Sequence, residues 1–159
     1  MVEIQRIGEP DFCVEKLDGG FFENVDFHRA VLNWQSCRGA YFRDVSLRGV
    51  FALETDFTGA RFERCSFFNA RLERANFTNA VFEDCSIVCA MMQGADLRGA
   101  NLSTCDLSGV LQSAPSYRPI LIQLAGSIYD ETTEWPKGFD PEKYGAIDGT
   151  QSRWQRPTE

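Results

Sequence analysis

The sequence has a single histidine and few basic residues, with 16 Lys and Arg against 23 Asp and Glu in 159 residues, a net charge of −7. Phosphate contacts require clustered cations, so direct nucleic-acid binding is not expected. An acidic surface favours solubility or a basic protein partner. No window approaches the ~20 apolar residues of a membrane span, and no membrane association is expected. The opening residues, MVEIQRIGEPDF, lack the basic start and apolar stretch of a secretory signal. If nothing precedes Met1, a cytoplasmic location is expected. The lone His28 has no neighbouring Ser or Cys that would make a nucleophilic pair. No catalytic, cofactor or metal site is expected, and the chain does not read as an enzyme.

What is present is a five-residue rhythm. Large apolar residues recur at Phe27, Leu32, Cys37, Phe42, Leu47, Ala52 and every fifth position to Leu107, and 13 of these 17 centres are Leu or Phe. Two residues before each centre stands a small residue, Ala at nine sites, Cys at three and Val at three, with Gln35 and Thr55 as exceptions. On a helix a five-residue step rotates by ~140°, and on a flat strand it reverses the side chain's face, so neither buries this pattern. The chain must turn once per repeat. A short extended piece followed by a corner points the small residue and the centre to one inside face, and four such sides close a coil.

Four repeats predict a 20-residue super-period, and the sequence contains it. Phe22, Phe42, Phe62 and Phe82 form one column, Cys65, Cys85 and Cys105 a second, and Gly39, Gly59, Asn79 and Gly99 a third. The third column falls two residues after the centre, where a corner tolerates positive φ. The cysteine column points inward among apolar neighbours, which suits small-residue packing rather than metal binding or disulfides. Seventeen repeats stacked at ~4.8 Å make a rod roughly 20 Å long.

The segments Ala75-Asn76-Phe77, Ala95-Asp96-Leu97-Arg98-Gly99 and Ala100-Asn101-Leu102 resemble the A-(D/N)-L-x-x motif of the pentapeptide repeat family. The resemblance implies an all-β fold, a right-handed quadrilateral β-helix of about four to five coils with short terminal capping segments. Two departures stand out. Gln35 with Cys37 predicts a distorted or capped early coil, and Ala52 leaves room between Leu32 and Leu72 for Phe51 or Leu53 to fill. The stretch YDETTEWPKGFDP, 129–141, is similar to a segment that follows the repeats in cyanobacterial and plastid-type members.

Three regions are expected: an N-terminal cap and leading segment over 1–21, the solenoid over 22–112, and a loop with a partly ordered capping tail over 113–159. An open solenoid end is an exposed core and needs a cap. Ile120, Ile122 and Leu124, then Tyr129, resume one or two rungs with a two-residue phase shift, or else a short helix forms over 119–125. Asp140-Pro141 suits the start of a one-turn helix, and the aromatic tail is expected to fold back onto the rod. Little order is expected beyond Asp148 unless Trp154 finds a site.

Outward charges alternate along the stack, with Arg43 beside Glu63 and Glu83 in one column and Asp44, Arg64 and Asp84 in the next, a solvated register-setting ladder. The other outward feature is apolar. Unrolling the coils puts Phe68 and Val88 in one column and Val31, Phe51, Met91 and Leu111 around the next corner, with Leu53 and Trp34 nearby. Such a strip calls for a cover, either the chain's own tail or N-terminal segment, which is preferred, or another molecule. The resulting expectation is a non-catalytic protein–protein interaction scaffold, monomeric or weakly dimeric, with a protein partner and no cofactor. The family resemblance adds a second reading, a DNA mimic that inhibits or protects a type II topoisomerase such as gyrase.

Overall fold

The computed structural model describes residues 1–110 and 122–150. On three of the four sides the repeat closes a hydrogen-bonded β-turn, as where the Ala30 N–H donates to the Phe27 carbonyl at 3.0 Å, and on the side of Phe22, Phe42, Phe62 and Phe82 the corner is a bend after a short strand. The third residue of each turn takes positive φ, and this holds at every fifth position from Asn24 to Gly109. Glycine occupies only some of these corners. Arg29 (φ 57°), Trp34 (59°) and Glu54 (52°) adopt the same conformation, which costs them more than it costs glycine. The repeat geometry imposes the corner whatever residue is supplied.

Four such steps bring the chain back over itself. Parallel bridges join residues 20 apart at each side, Phe21 to Tyr41, Asp26 to Ser46, Val31 to Phe51 and Ser36 to Asp56. On the first side the bridges lengthen into strands β3 (Phe21–Glu23), β4 (Tyr41–Arg43), β5 (Arg61–Glu63) and β6 (Val81–Glu83), a four-stranded parallel sheet in chain order. The result is an all-β coil with its core on the axis, and the described residues contain no α-helix.

From Phe27 to Leu107 the centres are buried, almost all completely. The rings of Phe22, Phe42, Phe62 and Phe82 stack at 4.9, 5.1 and 4.9 Å, and Phe57 and Phe77 form a second stack at 5.0 Å. The exceptional Thr55 is also fully buried, its Oγ1 donating to the Leu32 carbonyl at 2.7 Å. Cys65 and Cys85 make the equivalent contact, each Sγ lying 3.4 Å from the carbonyl of Phe42 or Phe62. Burial pushes the thiols of Cys37 and Cys105 up to about 12, and Cys85, hydrogen-bonded to Cys65 and buried, is shifted up as well.

The early coil is regular despite Gln35 and Cys37. Cys37 is fully buried and its N–H reaches the Asp56 carbonyl at 2.8 Å, while Gln35 keeps its backbone bonds with its side chain exposed. The turn hydrogen bonds hold the register without a small inward residue there. Phe51 and Leu53 stay half-buried on the outside instead of turning in beside Ala52, because alternation along an extended piece sends the neighbours of an inward residue outward.

At the N-terminus β1 (Val2–Ile4) and β2 (Phe12–Val14) form an antiparallel hairpin. It lies across the first coil, with Val31 donating to the Gln5 carbonyl at 2.7 Å and the Phe12 ring edge-on to Phe27 at 5.1 Å. At the other end the rungs resume. Gln123 bridges Asp96 and Ile128 bridges Asn101, spacings of 27 residues where the coils below use 20. The seven extra residues produce a two-residue shift of phase, and Ile122 and Leu124 enter the core. Residues 122–125 are therefore not helical, and the remainder of 119–125 lies outside the described residues. Strands β7 (Ile128–Tyr129) and β8 (Ile147–Asp148) pair in parallel, and a one-turn 3-10 helix, Pro141–Tyr144, follows Asp140. Trp135, Pro136 and Phe139 close over Leu97, Leu107, Val110, Ile122 and Leu124, leaving about 10 Å³ of free space. The described tail thus seals the end of the core.

Candidate docking surface

Each coil sends the residue after its centre outward just before a corner and the residue before the next centre outward just after it. On one corner of the rod these positions are His28, Arg48, Phe68 and Val88, then Val31, Phe51, Arg71 and Met91, the latter four joined by successive parallel bridges. The apolar residues predicted to form a strip therefore occupy neighbouring columns. Val31, Phe51, Leu53, Phe68, Val88 and Met91 are half-buried, and arginines interleave with them.

The centre of this corner is a shallow groove of about 350 Å³ lined by Phe51, Phe68 and Met91 together with His28, Arg29, Arg48 and Arg71. Arg48 lies over the Phe68 ring with its guanidinium carbon 5.0 Å from the centroid, and Arg71 lies over Phe51 at 5.7 Å. Gly49 at a corner (φ 59°) and Asn69 complete the floor. Of the candidate residues the groove brings together Phe51, Phe68 and Met91. Val31, Leu53 and Val88 lie outside its lining, and Leu111 falls outside the described residues. Trp34 stands alone on an adjoining corner, 67% exposed.

The lining residues all come from 28–91, so the described parts of the two ends do not fill the groove. The N-terminal segment meets the groove at its lower margin, where the Ile7 N–H donates to the Arg29 carbonyl at 3.1 Å and the Val31 N–H to the Gln5 carbonyl, and the tail is engaged on the end of the core. The end of the core, where Leu97 and Leu107 are covered only by the tail, offers more apolar contact to a terminal segment than a corner already overlaid by guanidinium groups.

The arginines of this corner do not stand out from the apolar pattern of the sequence. A signal for them existed in the 20-residue columns. Positions 28–31, 48–51, 68–71 and 88–91 hold three arginines, the histidine and no carboxylate, whereas 21–24, 41–44, 61–64 and 81–84 hold five carboxylates and three arginines. In the second set the charges pair. Arg64 takes Asp44 through two hydrogen bonds at 2.7 and 2.8 Å and also meets Glu63, Arg61 takes Glu83 at 2.8 Å, and Tyr41 donates to Glu63. Arg43 reaches down to Glu23 at 2.5 Å rather than up to Glu63, whose oxygens are already engaged. Asp84 receives no arginine among the described residues; its backbone N–H donates to Thr104 Oγ1.

Such a groove can hold a ligand by contact and charge; none of its residues is arranged as a nucleophile with a base. No group of three or more potential metal-ligating side chains occurs among the described residues. No helix of the described residues is long and apolar enough to cross a membrane.

A stacked-coil β-helix that displays side chains in outward columns is the class this geometry defines. A family model, pentapeptide repeats in eight copies, matches residues 26–64, 36–74 and 65–103, and the chain belongs to the pentapeptide repeat family. Among solved structures, a trypsin-treated form of QnrB1, a plasmid-mediated fluoroquinolone resistance protein, aligns with a TM-score of 0.53 at 18% identity, covering 84% of this chain and 72% of that one. Full-length QnrB1 aligns at 0.50 with 13% identity, covering 87% and 89%. At these identities the likeness is one of fold. A pentapeptide repeat protein from the cyanobacterium Cyanothece 51142 aligns at 0.36 with 17% identity, covering 75% and 86%, which adds nothing to the assignment. Comparison with curated proteins gives no match.

Proposed function

We propose that this protein is a non-catalytic scaffold that binds another protein through its outer surface. The observation that carries the reading is the corner groove, where Phe51, Phe68 and Met91 meet on a rigid stack of coils. Half-buried rings in a concave site bury apolar area on contact with little further loss of conformational freedom, the usual anchor of a protein interface. The reading takes the coil as right-handed, 22–112 as the solenoid between an N-terminal cap and a C-terminal capping tail, and the protein as a cytoplasmic monomer or weak dimer.

The second reading, a DNA mimic acting on a type II topoisomerase, has less support. A mimic needs a continuous anionic face, and the outer columns of this rod alternate in sign, with 11 acids and nine arginines between residues 22 and 112.

Phe51→Glu combined with Met91→Glu tests the first reading. Loss of the protein that co-purifies from the native host, at unchanged circular dichroism and Tm, supports it. Undiminished co-purification, with the variant folded, removes the groove as the binding site. Inhibition of DNA supercoiling by the purified protein would favour the second reading instead.

A further inference from the structure

The geometry points to an acidic segment of another protein as the occupant of the corner groove, a refinement that rests on the scaffold reading above. The chain is acidic overall at −7, which by itself suggests a basic partner. The groove reverses that sign locally. Arg29, Arg48 and Arg71 border it, with His28 beside them.

The state of these arginines decides the matter. Arg29 and Arg48 take part in none of the ion pairs formed among the described residues. Arg71 directs its Nε and Nη2 to one carboxylate oxygen, Glu73 Oε1, at 3.4 and 3.2 Å, and its side chain is still about half exposed. Elsewhere on the rod most arginines meet a carboxylate from a neighbouring coil. Arg29 and Arg48 are thus left over from a surface that otherwise neutralises its charge.

Their placement over rings matters as much as their number. A guanidinium resting on an aromatic face keeps its N–H donors in its own plane, directed to the sides, in the arrangement that takes a carboxylate by two parallel hydrogen bonds. Ring contact also holds the long side chain in place before the ligand arrives, which reduces the ordering that binding requires. Arg48 on Phe68 is such a unit with no carboxylate of its own, and Arg71 on Phe51 is a second ring-held guanidinium in the next column, with its Nε edge on Glu73 and its Nη1 side open to a ligand. Between them Phe51, Phe68 and Met91 offer apolar contact for one side chain of the ligand. The fitting ligand is a short run with two or more Asp or Glu flanking an apolar or aromatic residue.

Other occupants fit less well. The segments of this chain outside the described residues, 111–121 and 151–159, carry three arginines and one glutamate, the wrong sign for the site. A nucleic acid draws its affinity from many phosphate contacts, and three arginines on a chain of net charge −7 provide few. The negative charge at the two ends acts on a bound segment only weakly, since exposed charges are screened beyond ~8 Å at physiological salt.

The test is a selection of short random peptides displayed on phage against the full-length protein, followed by binding of the selected synthetic peptides by fluorescence anisotropy. The folded variants Arg29→Glu/Arg48→Glu and Arg48→Gln, with Tm checked, are the controls. Selected peptides enriched in Asp and Glu, binding at least about ten-fold more weakly to the double variant and losing affinity with added salt, support the proposal. Amide shifts in NMR spectra at Phe51, Phe68 and Met91 place them in the groove. Peptides without acidic bias, or with equal affinity for the charge-reversed variant, overturn it. Tighter groove binding of a short single-stranded DNA, or a concentration-dependent dimer abolished by the double variant, also overturns it, in favour of nucleic acid or a second copy. If the co-purifying partner still binds the double variant, the scaffold reading stands and the assignment to this groove fails.

Discussion

The rings of Phe42 and Phe62 lie 5.1 Å apart and within 10° of parallel, one coil directly above the other. The same relationship continues to Phe82, so one stacked column runs through the coils, edged by Phe57, Phe67 and Phe77. Phe62 is completely buried at the centre of this arrangement. Phe62→Ala is expected to cost about 3–5 kcal/mol, since it removes the ring's transfer energy and leaves a cavity between two rigid coils. Phe62→Leu, which matches the leucines at other centres, is expected to cost clearly less. Urea denaturation of the two variants checks the order.

Thr55 is the one hydroxyl at an inward small position among otherwise apolar or thiol neighbours in the repeats. Its hydrogen bond to the Leu32 carbonyl is not that carbonyl's only one, because the Gln35 N–H also donates there at 3.0 Å. Thr55→Val is therefore expected to cost only about 1 kcal/mol, the net worth of one hydrogen bond, with no orphaned acceptor added. A loss of several kcal/mol in the same denaturation experiment would contradict this account of the site.

The Arg64–Asp44 pair ties the second coil to the third on an exposed face. Hydrogen bonding from Arg64 holds the Asp44 carboxyl below its usual range. The native state therefore binds the proton less well than the unfolded chain. The stability this supplies is present above the ordinary carboxylate pKa and is lost as pH falls through the lowered native value. Asp44→Asn should lower Tm slightly at neutral pH and low salt, with the difference shrinking both at high salt and below about pH 4. Thermal melts over pH and salt give the comparison. A difference that persists unchanged at acid pH would show that the pair is not its source.

The six cysteines should divide by position. Cys37, Cys65, Cys85 and Cys105 are buried, Cys13 is exposed and Cys89 half-buried. Titration with Ellman's reagent should modify Cys13 rapidly, Cys89 more slowly and the other four only on unfolding. Because burial raises the thiols of Cys37 and Cys105 to about 12, their contribution is fully present below the ordinary thiol range near pH 8.5. It declines as pH rises from there towards the native value, so alkaline melts should fall, and the fall should lessen in Cys37→Ala/Cys105→Ala. Fast reaction of all six thiols in the folded protein would exclude the buried column.

The five-residue rhythm was sufficient to read the coil, because burial in this fold is local. Each inward residue is set by its place in its own repeat, and the 20-residue recurrence of Phe22, Phe42, Phe62 and Phe82 reports the four sides directly. The same logic identified the cysteines as packing residues and the glycine column as corners. It did not show that Arg29, Trp34 and Glu54 accept the corner conformation too, since that is imposed by turn hydrogen bonds and not by side-chain preference.

Tertiary structure decided whatever depends on the reach of side chains between coils. Arg43 turned to Glu23, Arg64 joined Asp44 to Glu63, and Arg48 and Arg71 folded over phenylalanines that the sequence pattern had placed on a bare apolar strip. Long flexible side chains choose among several partners within one or two rungs, and the period alone does not rank them. The ends were likewise undecided, because where the rhythm stops the chain is guided by contact with the exposed core, as Trp135 and Phe139 are by Leu97 and Leu107. Composition determined an acidic protein; the arrangement of columns around one corner produced a cationic, aromatic groove on it.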